Sequence, residues 1–181
     1  MNKEITLITG NENKVKEFER LLGFKLAHHK IDLPEPQTTD VKRVAEEKAT
    51  KAYELLRKAC LVDDTGLIVH SWGELPGALI RWFLDNVGSQ GIVKMLGEYT
   101  SREATVTTAL GYCDEHGPRV FTGEVHGEIS LSPRGNNGFG YDDIFIPNGQ
   151  SKTFAEMSNT EKDNHSMRQL AIKKMKEYLK L

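Results

Sequence analysis

Residues 104–113 (ATVTTALGYC) and 119–131 (RVFTGEVHGEISL) are two runs of strong β character with EHGP between them, a hairpin signal. A chain built around such a hairpin must hold antiparallel strands, yet its first third alternates strand and helix. Residues 3–8 (KEITLI) read as a β-branched strand, and Gly10-Asn11 turns the chain into a helix. Val15, Phe18 and Leu22 line one face of that helix, and Gly23 ends it. The stretch 31–39 (IDLPEPQTT) carries two prolines and reads as extended loop. A second helix over about 40–58 buries Val44, Ala45, Ala49, Ala52 and Leu56. Two strands, around 60–63 and 67–70, follow it, separated by Asp64, Thr65 and Gly66. Pro76-Gly77 precedes an aromatic-rich segment (ALIRWFL) and helix-like residues to about 96. A glycine-rich loop (PRGNNGFGYDD) then leads to a short strand, IFI. From about residue 160 the tail is a helix with Met167, Leu170, Ala171 and Lys174 on one face and Tyr178 a turn further on. The expectation is an α/β fold, a mixed sheet flanked by helices, in one domain over 1–181.

Charge and composition narrow the function classes. The formal net charge is −2, which argues against bulk binding to nucleic acid, because that affinity comes largely from phosphate neutralisation. The absence of a basic stripe with interleaved aromatics argues the same way. Cys60 and Cys113 sit in apolar stretches at no metal-ligand spacing and read as reduced, buried thiols. The start, MNKEITLITG, turns polar too soon for a signal peptide. No apolar run approaches the roughly 20 residues of a membrane span. The expectation is a soluble, cytoplasmic protein with no membrane partner.

Four separated segments place charge beside glycine: TGNENK at 9–14, LVDDTGL at 61–67, FGYDDIF at 139–145 and EKDNHSMR at 161–168. In the first, a strand passing through Gly10 into a helix presents backbone N–H groups to an anion, and Lys14 reaches the same place. It is not a Walker A loop, and a plain helix N-cap is the alternative. In the second, Asp63 and Asp64 point to opposite sides if the chain is extended there. One of the pair can then face a cleft with a divalent metal, although a turn between two strands is equally a use for this motif. Glu35 is the second carboxylate offered to the metal. Lys48 lies on the polar border of the second helix, and Arg81 stands among apolar neighbours, snorkelling or aimed into a cleft. Gly138, Phe139, Gly140, Tyr141 and Asp142 place an aromatic face between glycines, suited to stacking on a base. Lys162, Ser166 and Arg168 open the last helix. Arginine carries only donors, so Arg168 favours a base carbonyl over an amino group. Lys14, Lys48, Arg81, Lys162 and Arg168 together outnumber Glu35 and Asp64, a balance that suits a magnesium-loaded triphosphate.

These residues, in this order and spacing, resemble the inosine triphosphate pyrophosphatase family nearly end to end. The resemblance is carried by ITLITGNENKVKEFERLLG, IDLPEPQ, LVDDTGLIVHSWGELPGALIRWFL, RGNNGFGYDDIFIPNG and TFAEMSNTEKDNHSMR. It implies two lobes on a long mixed sheet with a substrate cleft between them, a homodimer and Mg²⁺. It implies cleavage of ITP, dITP and XTP to the monophosphate and pyrophosphate. Carried onto this chain, Thr9, Gly10, Asn11, Glu12, Asn13 and Lys14 grip the phosphates. Glu35 and Asp64 are the metal positions, and Asp64 and Lys14 the catalytic ones, with Asp63 and Asp64 both open as general base. Lys48, Thr65 and Arg81 line the substrate site. Phe139, Gly140, Tyr141 and Asp142 form a wall of the base pocket, which Lys162, Met167 and Arg168 close. The chain departs from the pattern twice. Relatives usually carry Ser-His-Arg where this chain has Ser166-Met167-Arg168, which bears on base specificity, and proline where it has Asp143. The alternatives are a pyrophosphatase of broader or shifted base specificity and a catalytically silent nucleotide-binding regulator.

Overall fold

The computed structural model describes residues 5–97, 99 and 101–181. A seven-stranded sheet runs in the order β2-β1-β3-β5-β6-β7, with β4 on β3. The strands are β1 (Thr6–Ile8), β2 (Ala27–His29), β3 (Cys60–Val69), β4 (Pro76–Gly77), β5 (Glu103–Asp114), β6 (Gly117–Ile129) and β7 (Phe145–Pro147). β2, β1 and β3 are parallel, while β3, β5, β6 and β7 are antiparallel. The sheet is therefore mixed, as expected. The hairpin pairs Glu103 with Glu128 at one end and Asp114 with Gly117 at the other. Lys3 and Glu4 of the expected first strand lie outside the described residues.

The helices are α1 (Glu12–Leu22), α2 (Val41–Leu56), α3 (Ile80–Met95), α4 (Asn159–Asp163) and α5 (Met167–Leu179). α1 is bounded as its sequence dictates: the Asn11 side chain caps its start, and Gly23 ends it at φ 82°, a left-handed conformation that costs glycine little. α1 and α5 cover one sheet face, where Phe18, Leu22, Leu61, Leu110, Tyr112, Ala171 and Met175 form one buried cluster. α2 covers the other, packing Val41, Ala45, Ala49 and Ala52 on Val62, Ala109 and Cys113. A third cluster lies toward the far ends of the long strands, joining Leu67, Val69 and Val106 to Ile80 and Ile92 of α3 and to Phe145 and Phe154. β3, β5 and β6 pass through both regions, which makes two lobes on one sheet. Among the described residues no helix is long and apolar enough to cross a membrane.

Three expectations need correction. Asp64, Thr65 and Gly66 do not separate two strands, because β3 is continuous through them and pairs with β5 from Cys60–Cys113 to Val69–Ala104. Gly66 is there for close approach: a side chain on it would meet Val41 of α2 at 3.0 Å and the Gly77 backbone at 3.1 Å. The tail is two helices rather than one, with Ser166 capping the second through the Arg168 and Gln169 N–H groups. Its buried face is Met167, Arg168, Ala171, Ile172 and Met175, so Leu170 and Tyr178 lie at the margin, each more than two-fifths exposed. The short edge strand β2, which is all polar or small and exposed, has no apolar alternation to announce it.

Gly123 marks the tightest seam between sheet and helix, since a Cβ on it would overlap the Met167 carbonyl at the start of α5. Gly123→Ala should therefore cost about 1–3 kcal/mol of stability through overpacking. Urea denaturation checks this, and an unchanged midpoint would contradict the packing described.

Candidate active site

The pleat of β3 turns neighbouring acids to opposite faces. Asp63 faces α1 and α5, and Asp64 faces α2. On the first face Asp63 is fully buried and bound by two cations. Arg168 Nε donates to Oδ1 at 3.0 Å, and Nη2 donates to Oδ2 at 3.1 Å. Lys14 Nζ lies 2.7 Å from Oδ2 and donates to the Asp63 carbonyl at 2.8 Å. Burial alone would raise the Asp63 pKa, but Arg168 and then Lys14 overcome it and hold the carboxyl well below its usual range. Arg168 also donates from Nη1 to Glu17 Oε2 at 2.7 Å. Burial pulls its pKa down, while Asp63 and Glu17 together push it above the ordinary arginine value. The other Glu17 oxygen is buried with no hydrogen-bond partner among the described residues.

On the second face Lys48 Nζ bridges two carboxylates, donating to Glu35 Oε1 at 2.7 Å and Asp64 Oδ1 at 3.0 Å. Burial lowers the Lys48 pKa, yet Asp64 and Glu35 leave it above the usual lysine value. Asp64 Oδ2 is buried and has no hydrogen-bond partner among the described residues. Burial drives the Asp64 pKa up against the opposing pull of Lys48 and Lys14. Two adjacent carboxyls are thus shifted in opposite directions, a separation expected where one is structural and the other chemical. The donors also fit a hard cation: two carboxylates converge on one positive centre, and one oxygen has no protein partner. Among the described residues no three of His, Cys, Asp and Glu cluster as a full ligand set. Such a site suits an ion that takes one or two carboxylates and completes its shell with water and phosphate.

Beside Asp63, the glycine-rich loop places Phe139 under two cations, with Lys162 Nζ 5.4 Å and the Arg168 guanidinium 5.8 Å from the ring centroid. Asp142 Oδ2 fixes this arrangement by accepting from the Phe139 N–H at 2.8 Å and from Lys162 Nζ at 2.7 Å. Burial raises the Asp142 pKa, and Lys162 opposes it. The Tyr141 hydroxyl is buried nearby, and burial lifts its pKa above the usual tyrosine value. Met167 is buried among Tyr141, Phe145 and Phe154.

The fold thus draws Lys14, Asp64, Lys48 and Glu35 together, and Phe139, Asp142, Lys162 and Arg168 beside them. Two sequence readings change. The α1 start does not offer all its N–H groups to an anion: Asn11 Oδ1 takes those of Asn13 and Lys14 at 2.9 and 3.2 Å, and Thr9 Oγ1 takes that of Asn11 at 3.1 Å. Arg81 joins neither cluster. It is 85% exposed and pairs with Asp85 on its own helix at 3.4 Å. Glu17 is the participant that sequence reasoning missed. It precedes Phe18 on α1, and its only distinguishing partner, Arg168, is 151 residues away.

With this geometry in view, the relatives become informative. The Ham1 family model matches residues 5–178. The chain belongs to the Ham1 family. It is 37% identical to the inosine triphosphate pyrophosphatase of Schizosaccharomyces pombe, over 98% of this chain and 95% of that one. It is 35% identical to the dITP/XTP pyrophosphatase of Methanopyrus kandleri, over 98% and 96%. The solved Ham1 protein of Staphylococcus aureus superposes with a TM-score of 0.86 at 27% identity, covering 98% of both chains.

The Asp63–Arg168 pair implies a specific pH response. Asp63 is held below its unfolded value of about 3.9, so its contribution is present above that pH and is lost as pH falls through the lower folded value. Arg168→Met should cost about 3–5 kcal/mol at pH 7, because it removes the cation from buried Glu17 and leaves buried Asp63 with Lys14 alone. The gap to the parent chain should then narrow as the pH falls toward 3. Urea denaturation across this range checks both the size and the trend, and a gap that widens on acidification would contradict the pairing.

Proposed function

We propose that this protein hydrolyses nucleoside triphosphates between the α- and β-phosphates, releasing the monophosphate and pyrophosphate, with ITP, dITP and XTP preferred. The observation that carries this reading is the buried, unpartnered Asp64 oxygen beside Lys48, Glu35 and Lys14. Family membership and the names of its relatives support it. In this reading the protein sanitises a cytoplasmic nucleotide pool and acts as a homodimer.

Asp64 and Glu35 would hold Mg²⁺, which when bound offsets phosphate charge and makes a coordinated water more acidic. Lys14 and Lys48 bind the phosphate oxygens left uncovered. Asp64, with one buried oxygen that no described residue contacts by a hydrogen bond, is suited to take the proton of the attacking water. Asp63 is not, because two cations hold it ionised. Phe139 stacks on the base and Lys162 seats that ring. Arg168 spends three of its five N–H donors on Asp63 and Glu17. Those that remain suit the O6 acceptor of hypoxanthine or xanthine, whereas adenine would present a donor to a donor. Such a mismatch costs roughly 1–3 kcal/mol. Met167 makes the pocket less polar, which favours a weaker preference than in relatives with histidine there.

The test is a panel of ITP, dITP, XTP, ATP, GTP and dUTP with Mg²⁺, products resolved by chromatography, on the parent chain and Asp64→Asn. The expected outcome is monophosphate plus pyrophosphate, with kcat/KM highest for ITP, dITP and XTP, and at least a hundredfold loss in the folded variant, on the order of removing a general base. Diphosphate plus phosphate, or tight binding without turnover, would overturn the reading.

A further inference from the structure

The loop that carries Phe139 is fastened on several sides, and one fastening reaches α3. Its neck is closed by the Arg134 N–H donating to the Asp143 carbonyl at 2.8 Å. Its middle is tied to the following segment, with the Asn137 N–H on the Ala155 carbonyl at 3.0 Å and Asn137 Nδ2 on the Met157 carbonyl at 3.1 Å. Toward α3, the Ser89 hydroxyl donates to Asp143 Oδ1 at 2.7 Å. Leu84 of α3 lies close by, 3.8 Å from where a Cβ on Gly140 would sit.

Ser89 is the residue at which α3 resumes after a break. Gly88 has φ 64° and ψ 177°, outside the helical region, and a side chain there would touch nothing within 4 Å. Glycine adopts this conformation at little cost, and the helical run of α3 is broken there. The Ser89–Asp143 bond sits immediately beyond this break and ties it to the loop. Asp143 is also one residue from Asp142, which holds the Phe139 N–H and Lys162.

We propose that Ser89 and Asp143 are positioning residues for the nucleotide: their hydrogen bond fixes the 134–143 loop against α3 and so sets where the Phe139 ring stands. This rests on the nucleotide reading above. Neither side chain needs to touch substrate, because the bond acts through the loop whose Phe139 ring is read as meeting the base.

The test uses Ser89→Ala, Asp143→Ala, the double variant, and Asp143→Asn, which keeps an acceptor for the hydroxyl. Two readouts are taken: amide hydrogen exchange across residues 134–143, and kcat and KM for ITP with Mg²⁺. Each alanine variant should exchange faster across the loop and raise KM about three- to tenfold, with kcat held within about twofold, as expected for one lost charge-assisted bond. The double variant should be no worse than the poorer single one, since both remove the same contact. Asp143→Asn should stay close to the parent. Unchanged loop exchange, unchanged KM, or single effects that multiply in the double variant would overturn the proposal. A parent chain that turns over no triphosphate would instead sink the pyrophosphatase reading, and the exchange measurement would still decide whether the bond restrains the loop.

Discussion

The buried pairing of Arg168 with Asp63 fastens the chain's last helix to the middle of its central strand, and the site is built around that fastening. Its partners are 105 residues apart in sequence, so the pair forms only when the sheet and α5 are both in place. Lys14 and Glu17 extend it to α1. One ionic cluster thus registers the first helix, the third strand and the last helix against one another. A buried ion pair of this kind adds little net stability compared with apolar packing, but it is costly to break from one side. What it supplies here is a fixed geometry for Lys14 and for the Phe139 wall beneath Arg168.

Asp64 presents the complementary case. Its neighbour is compensated twice over, whereas one oxygen of Asp64 is buried without a partner and its pKa is raised by that burial. A fold gains nothing from such a group, and a chemical site does. Together with Glu35 on the shared Lys48 ammonium, it is the locally destabilised feature from which the proposed hydrolysis is derived. The pleat of one strand is what lets two adjacent aspartates differ so far, because it sends them to opposite faces with opposite electrostatic surroundings.

Much of this was legible from local pattern. The α1 boundaries followed from Asn11 and Gly23, the hairpin from EHGP, and α2 from its alanine-rich face. The clustering of Lys14, Lys48, Glu35 and Asp64 was expected from motif chemistry, and the resemblance placed each of them. The failures share one physical cause, which is dependence on partners remote in sequence. Gly66 looks like a turn residue until Val41 and Gly77 press on it. Glu17 looks like a surface acid until Arg168 arrives. Arg168 looks like a base-facing cation until Asp63 and Glu17 between them take three of its five donors. Ser89 and Asp143 meet only through a break in α3 that composition does not reveal.

The division of labour between the two aspartates can be tested without substrate, by equilibrium urea denaturation of Asp63→Asn and Asp64→Asn side by side at pH 7. Asp63→Asn should lose several kcal/mol, as expected when a buried, doubly paired carboxylate is neutralised. Asp64→Asn should unfold close to the parent midpoint, because it removes a carboxylate whose charge burial opposes and which Lys48 pairs through one oxygen only. Equal losses in the two variants, or a larger loss for Asp64→Asn, would contradict the account.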